Sequence, residues 1–459
     1  MGQDLRRVGT LVILPPLIAL TYITAFTIAG FTGLQIWLEH VGMAAGDATP
    51  WGWEADSEDW TGGSRGGTDP TLGVLPRFAL RSAWFFQHWI GEIPSSGRSE
   101  SPYFPTTLFG GADRGNQLAE QQIMWAMQYL VKMQKPIPPA VLLRHEEILE
   151  KLGTPAALNK AWNECLMLLS QAPRGSLEAA KLSLKLGNLA ARRGLDDGAI
   201  RLWEEALKLT PSSISPGMTQ TPTEIPVQQR HLADVYVQLS SIYASNENMG
   251  AARVIQSRGS DLIASFLDAP PSESPSPEER LHYLYLLHRQ GVLLLQHAEV
   301  ELTMNSDTSS TLEIFRKAAR RARVIVDALG TGAMVSKEDF FSPSKMGNSE
   351  ATAATPISRT YSESKTLRIP GAALLRDARR TAMQAHLLEG ALLEGMATAM
   401  GQKEQDASIR AALQSYQAAL AWAGTTVQHG KNLGIPPSDI VDIQKRVDRL
   451  QAHIALQAS

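Results

Sequence analysis

Apolar residues follow two regimes along the chain. Before residue 40 they form one unbroken run, and beyond Gln117 they recur at helical spacing among abundant Ala, Leu, Glu and Gln. The clearest spacing lies in LSLKLGNLAARRGLDDGAIRLWEEALKLTP, which begins at Leu182. Leu186 supplies a core contact, and Gly187 lets a partner helix approach the backbone closely. Gly194 stands where a first helix can stop in a left-handed conformation. Asp196 and Asp197 then suit the positive end of a second helix. Ala199, Trp203 and Ala206, four and three apart, put two small residues and one large one on a single helical face. Pro211 ends the second helix and biases Thr210 away from helical dihedrals.

This register resembles a tetratricopeptide (TPR) unit, with Ala190 replacing the tyrosine expected three residues after the glycine. A looser unit starts at His231, with Leu239, Ser240, Tyr243, Ala252 and Gly259 at corresponding spacings; Ser240 replaces the glycine and Gln256 the aromatic. Runs from Glu279 and Thr311 fit a degenerate helix pair. Near the C-terminus Ala412, Tyr416 and Ala419 repeat the second-helix pattern, with Gly390 as the first-helix glycine. Repeats bury their apolar faces against neighbours, so three or more pairs are required. The predicted fold class is all-α: a TPR-like solenoid over 118–458, with loops near 211–226, 268–278 and 333–370. The 268–278 loop leads into a helix with Ser276 as N-cap and Pro277 at its first position.

From Val8 to Leu38 no side chain is charged, and the run exceeds the roughly 20 residues that cross a bilayer core. Residues 1–40 therefore predict a basic stub and a transmembrane helix, with lipid as the partner of residues 8–38. Arg6 and Arg7 precede the run, and Glu39 and Asp47 open an acidic flank, so the remainder falls on the side opposite the cytosol or matrix. A cleaved secretory signal near Met43, Ala44 and Ala45 is the competing reading, although the run is about twice the usual apolar core of a signal. The chain has no Asn-x-Ser/Thr acceptor and only one cysteine, which favours a mitochondrial membrane over the secretory path.

Residues 41–117 read as an acidic, Gly- and Trp-rich linker whose composition predicts disorder apart from Trp51, Trp53 and Trp60. An aromatic helix is expected near 78–92, where Trp84, Phe85, Phe86 and Trp89 stand beside Arg81. Its alternatives are a membrane surface, a partner, or an intramolecular helix that covers a repeat face. The Ser- and Thr-rich insertion from Ser336 to Lys365 predicts a mobile loop open to phosphorylation.

Charge is nearly balanced at −3, with 43 basic and 46 acidic residues, so no basic surplus points to nucleic acid. Cys165 lies on an apolar helical stretch and reads as a small buried hydrophobe. His145 opens HEEILEKLG, where Leu149 takes the place of the second histidine of a metalloprotease helix. His282, His288, His386 and His453 stand at no metal-ligand spacing, and phosphate loops and nucleophile elbows are missing from the sequence. The expectation is a non-enzyme without cofactor or metal.

A repeat array binds protein segments on its first-helix faces, here Lys181, Lys185, Asn188 and Gln238. TPR proteins that grip a C-terminal carboxylate carry a lysine and, four residues on, an asparagine. Asn188 fits the second place, but Leu184 occupies the first and Gln238 stands where another asparagine belongs. Lys185 is one residue away, about 100° around the helix. Chaperone-tail binding is therefore disfavoured. The order of stub, span, flexible acidic segment and degenerate TPR helices resembles the fungal adaptor subunits of the inner-membrane i-AAA protease. That resemblance implies recruitment of protein substrates to an AAA protease complex, with the repeats in the intermembrane space. A structural assembly factor, or an import or chaperone-type receptor of a membrane complex, is the alternative.

Overall fold

The computed structural model describes residues 29–44, 51–53, 60–62, 66–90, 111–210, 224–268, 275–304, 307–332, 355–398, 402–424 and 437–458. Every regular element among them is helical. The chain divides into two compact units: residues 1–46 with 58–165, and residues 47–57 with 166–459.

In unit 1 a helix over 29–37 runs into a wider π-type turn, Leu38–Gly42; together they form α1. Among the described residues no helix is long and apolar enough to cross a membrane. Residues 8–28 of the predicted span lie outside the described residues, and its last ten begin α1. Glu39, read above as the start of the acidic flank, instead lies within α1 on α2 (Val74–Phe85). Arg77 and Arg81 pair with its carboxylate, and Thr68 donates from both its backbone N–H and its hydroxyl. Burial pushes the Glu39 carboxyl up, but the hydrogen bonds from Thr68, Arg81 and Arg77 outweigh it and hold the pKa at about 2. So the residues just after the apolar run are ordered, where composition predicted a linker.

Helix α2 ends in a second π-type turn, Phe86–Ile90, and packs on α3 (Gly111–Lys132). The helical region thus opens at Gly111, earlier than the predicted 118. Helices α4 (Pro139–Leu152) and α5 (Pro155–Gln171) follow. Gly153 stops α4 in the left-handed region at φ 64°. Trp60, Leu80, Ile123, Leu130 and Ile148 build the core of unit 1. Beside it, His145 on α4 is fully buried, and its Nδ1 lies 2.8 Å from Glu164 on α5. Lys160 on α5 donates to Glu120 on α3 at 2.9 Å. His145 Nε2 lies 3.5 Å from the same Glu120, so the ring ties three helices together.

Unit 2 is a run of helix pairs: α6 (Leu177–Arg192) with α7 (Asp196–Leu209), α8 (Glu224–Ser245) with α9 (Met249–Asp268), and α10 (Pro277–Thr303) with α11 (Thr308–Thr331). A short turn of helix, α12 (Arg359–Ser362), leads to α13 (Arg368–Ala397), α14 (Gln402–Ala423) and α15 (Pro437–Ala458). Each pair packs on itself, and first helices also meet their successors, α6 with α8, α8 with α10 and α10 with α13. That neighbour pattern is the one by which stacked repeats bury a continuous core.

Caps set the borders. Ser176 and Ser276 each accept the N–H three residues on, at 3.1 and 3.2 Å, as the sequence predicts for Ser276. Gly194 ends the α6 region at φ 71°. Thr210 is extended, and Pro211 lies outside the described residues. Two predicted loops are shorter than expected. Helix α8 starts at Glu224 and takes Pro226 into its first turn, where a missing N–H costs nothing. The stretch 355–368, assigned to a mobile insertion, instead buries Tyr361 and Leu367, and Ser358 N–H bonds to Leu329 O at 2.9 Å. Residues 336–354 of that insertion lie outside the described residues.

Candidate functional site

The repeat-defining residues meet inside their pairs. Leu186, Ala199 and Ala206 have no exposed surface, and Trp203 lies over Gly187. A Cβ at Gly187 would sit 2.3 Å from Trp203 Nε1, so only glycine admits the indole there. That Nε1 donates to Asn188 Oδ1 at 3.2 Å and Leu184 O at 3.3 Å. The second pair solves the same problem with polar groups. Gln256 donates to Ser240 Oγ at 3.0 Å in a buried contact, and Leu239 and Ala252 are buried beside them. Tyr243 donates to Glu204 of α7 at 3.1 Å and so links one pair to the next. In α14, Ala412, Tyr416 and Ala419 are fully buried. Tyr416 lies against Gly390, donates to Glu394 at 2.9 Å and accepts from Arg446 of α15 at 3.0 Å.

The expected binding residues fare differently. Asn188, half-buried, accepts from Trp203 within its own pair. Lys181, Lys185 and Gln238 are half-buried on α6 and α8. Burial lowers the pKa of His231 on α8 to about 4, and the charge of Lys181 lowers it further against Asp234, which raises it. Of the aromatic segment, Trp84 stacks edge-on with Trp37 at 6.5 Å and lies against Gly42, while Phe86 packs on the unit 1 core. Phe85 meets Phe86 at 5.9 Å, and Trp89 falls in the turn that ends α2. Trp84, Phe85 and Phe86 therefore pack within unit 1.

Sequence reasoning missed the most elaborate site in unit 2. Residues 51–53, Trp-Gly-Trp, lie in a recess between α8 and α10. Arg230 on α8, 4% exposed, donates to Trp51 O at 3.0 Å and Gly52 O at 3.2 Å, and its guanidinium lies 3.9 Å from the Trp53 ring centre. Trp53, 1% exposed, meets Tyr285 edge-on and donates its indole N–H to Glu278 O at 2.9 Å. Trp51 leans on His282, with ring centres 5.3 Å apart. Burial, reinforced by the charge of Arg230, lowers the pKa of His282 to about 3, so the ring is neutral. Its Nδ1 then accepts from Arg230 at 3.3 Å and its Nε2 donates to Gln229 at 2.9 Å.

Beneath, Tyr285 donates to both oxygens of Asp234 at 2.7 Å, and Arg289 pairs with Asp234 at 2.7 Å. This network fixes the walls of the recess by charge-assisted bonds across two first helices. The one signal in the sequence was a pair of tryptophans amid polar residues, since Arg230, Asp234 and the α10 residues lie far away along the chain.

Among the described residues no group of His, Cys, Asp or Glu has the geometry of a metal site. His386 lies 3.3 Å from Glu389, which Arg316 also pairs, and Cys165 is buried.

No protein-family model matches the chain, and no curated protein matches it by sequence. One similar solved structure is the Signal Transduction ATPase with Numerous Domains (STAND) protein with a tetratricopeptide repeat sensor from Pyrococcus horikoshii. It is 12% identical and aligns with 74% of this chain at a TM-score of 0.19. This chain spans about half of that one, 53% of its length. So loose a superposition carries no argument, and the assignment rests on the chain's own packing: by its stacked pairs and its small-on-large helix contacts, unit 2 is a TPR-like helical repeat.

Proposed function

We propose that this chain is a membrane-tethered adaptor that binds peptide segments of protein partners on its helical-repeat unit. The observation that carries the reading is the recess between α8 and α10, which holds a three-residue turn of chain through main-chain carbonyls and two indole rings. That is how a repeat surface holds a peptide: backbone bonds supply affinity and side-chain contacts supply selectivity. The uncharged run over 8–38 supports the tether, and tethering raises effective concentration, so that weak grooves suffice.

The basic stub, the acidic flank and the scarcity of cysteine support a mitochondrial inner membrane, with the repeats in the intermembrane space. Together with the resemblance of the chain's overall order, they support recruitment of substrates to an AAA protease there. A carboxylate clamp of the chaperone type is less favoured, because Asn188 is engaged by Trp203 and Leu184 takes the lysine place.

Proximity labelling followed by purification in mild detergent tests the reading. An AAA protease with varying substrates is the expected result. A fixed stoichiometric set of subunits would replace the adaptor reading with that of an assembly factor. Protease protection of intact organelles with a C-terminal tag tests the topology, and a tag exposed to the cytosol would refute the inner-membrane placement.

A further inference from the structure

We infer that the α8–α10 recess recognises a turned aromatic–glycine–aromatic segment, and that Trp51, Gly52 and Trp53 are a resident ligand which a partner segment of the same chemistry displaces. The inference rests on the protein-binding role proposed above and names the partner chemistry of that site.

Each contact reads one feature of the segment. Two carbonyls in succession accept from the two ends of one guanidinium, which demands a fixed turn of the main chain but no particular side chain. The indole N–H of Trp53 reaches Glu278 O at the start of α10, which selects an aromatic with a donor at its edge. Trp51 meets a flat, neutral imidazole. Between them Gly52 has φ +63°, a left-handed conformation that glycine takes freely and β-branched residues avoid. The selected class is therefore narrow: two aromatic rings around a glycine or an asparagine.

The segment reaches the recess from far along the chain, with separations of 178 to 225 residues. It is thus an intramolecular ligand at high effective concentration, and it masks the site from weak competitors. The recess also resists standing empty. Arg230 is nearly fully buried, and loss of the two carbonyls would strip partners from a charge that cannot be neutralised. Exchange of one occupant for another avoids that cost.

The test uses the full chain in mild detergent and a fluorescent peptide of residues 47–57, DATPWGWEADS, read by anisotropy. The chain carrying Trp51→Ala and Trp53→Ala should bind the peptide at least about tenfold more tightly than wild type. A peptide with Gly52→Val, or a chain that also carries Arg230→Met, should lose about tenfold of that binding. Far-UV circular dichroism and thermal unfolding report whether the double variant folds. If it does not, the chain with Gly52→Val, which keeps both rings, replaces it. Equal peptide binding by wild type and by the folded variant would overturn the inference, as would binding indifferent to Gly52→Val or Arg230→Met. Such a result beside undiminished partner capture in proximity labelling would sink this site alone; loss of all partner capture would sink the adaptor reading.

Discussion

Gly187→Ala separates two accounts of why glycine stands in α6. Helix propensity alone makes the alanine chain more stable by about 0.5–1 kcal/mol. Packing predicts the reverse. The new methyl would lie 2.3 Å from Trp203 Nε1 and 2.4 Å from its Cδ1, so the indole must retreat. Overpacking of this kind costs about 1–3 kcal/mol. The retreat also strips Nε1 of Asn188 Oδ1 and Leu184 O, and an unsatisfied buried donor costs about 1–3 kcal/mol more. After the gain in propensity, the net loss is about 1–5 kcal/mol.

Trp203→Ala alone should cost about 3–5 kcal/mol. The double variant should cost about the same as Trp203→Ala, because no indole remains to collide with the methyl, which leaves a coupling of about 1–5 kcal/mol. Urea unfolding followed by far-UV circular dichroism measures all four chains. A stabilised Gly187→Ala chain, or effects that add to within about 0.5 kcal/mol, would refute the packing of this pair and with it the repeat register.

Other outcomes follow from the same geometry. His231, His282 and His288 are held neutral mainly by burial, at about 4, 3 and 3, below the usual 6.5, so the unfolded chain binds protons more readily as the pH falls below about 6.5. Each should cost about 2 kcal/mol of stability between about pH 7 and about pH 5, and a urea midpoint constant over that range would contradict their burial. Glu39 has the opposite reference: its stabilisation is complete above its ordinary 4.5 and is lost as the pH falls through about 2. Glu39→Gln should therefore weaken unit 1 at neutral pH, read as faster proteolysis of α1 and α2, and unchanged protection would deny the pairing with Arg77 and Arg81. Gln256→Leu leaves Ser240 buried without its donor and should cost about 1–2 kcal/mol, whereas adding Ser240→Ala should recover part of it; no recovery in thermal unfolding would show that the pair is not coupled.

Much of unit 2 was legible because its signals are local. Leu186, Ala199, Trp203 and Ala206 mark one face by spacing alone, Gly194 marks a left-handed stop, and Ser276 marks a cap; each is decided within a few turns of chain. The looser second unit was legible as a helix pair, but spacing could not reveal that Ser240 and Gln256 replace a glycine and an aromatic by bonding to each other. Composition misread residues 41–44 and 355–368. It averages over a window, and a few buried side chains such as Met43, Tyr361 and Leu367 order a segment that is polar on average.

The sequence by itself determined the all-helical class, the register of the best repeat and the uncharged run before Glu39, because periodicity, capping and charge are properties of neighbours along the chain. Only the tertiary structure decided that Glu39 faces Arg77 and Arg81, and that Asn188 accepts from Trp203. It alone brought Trp51 and Trp53 to Arg230, His282 and Tyr285. These outcomes depend on which helix faces meet, and the energy of a buried charge or ring lies in partners hundreds of residues away.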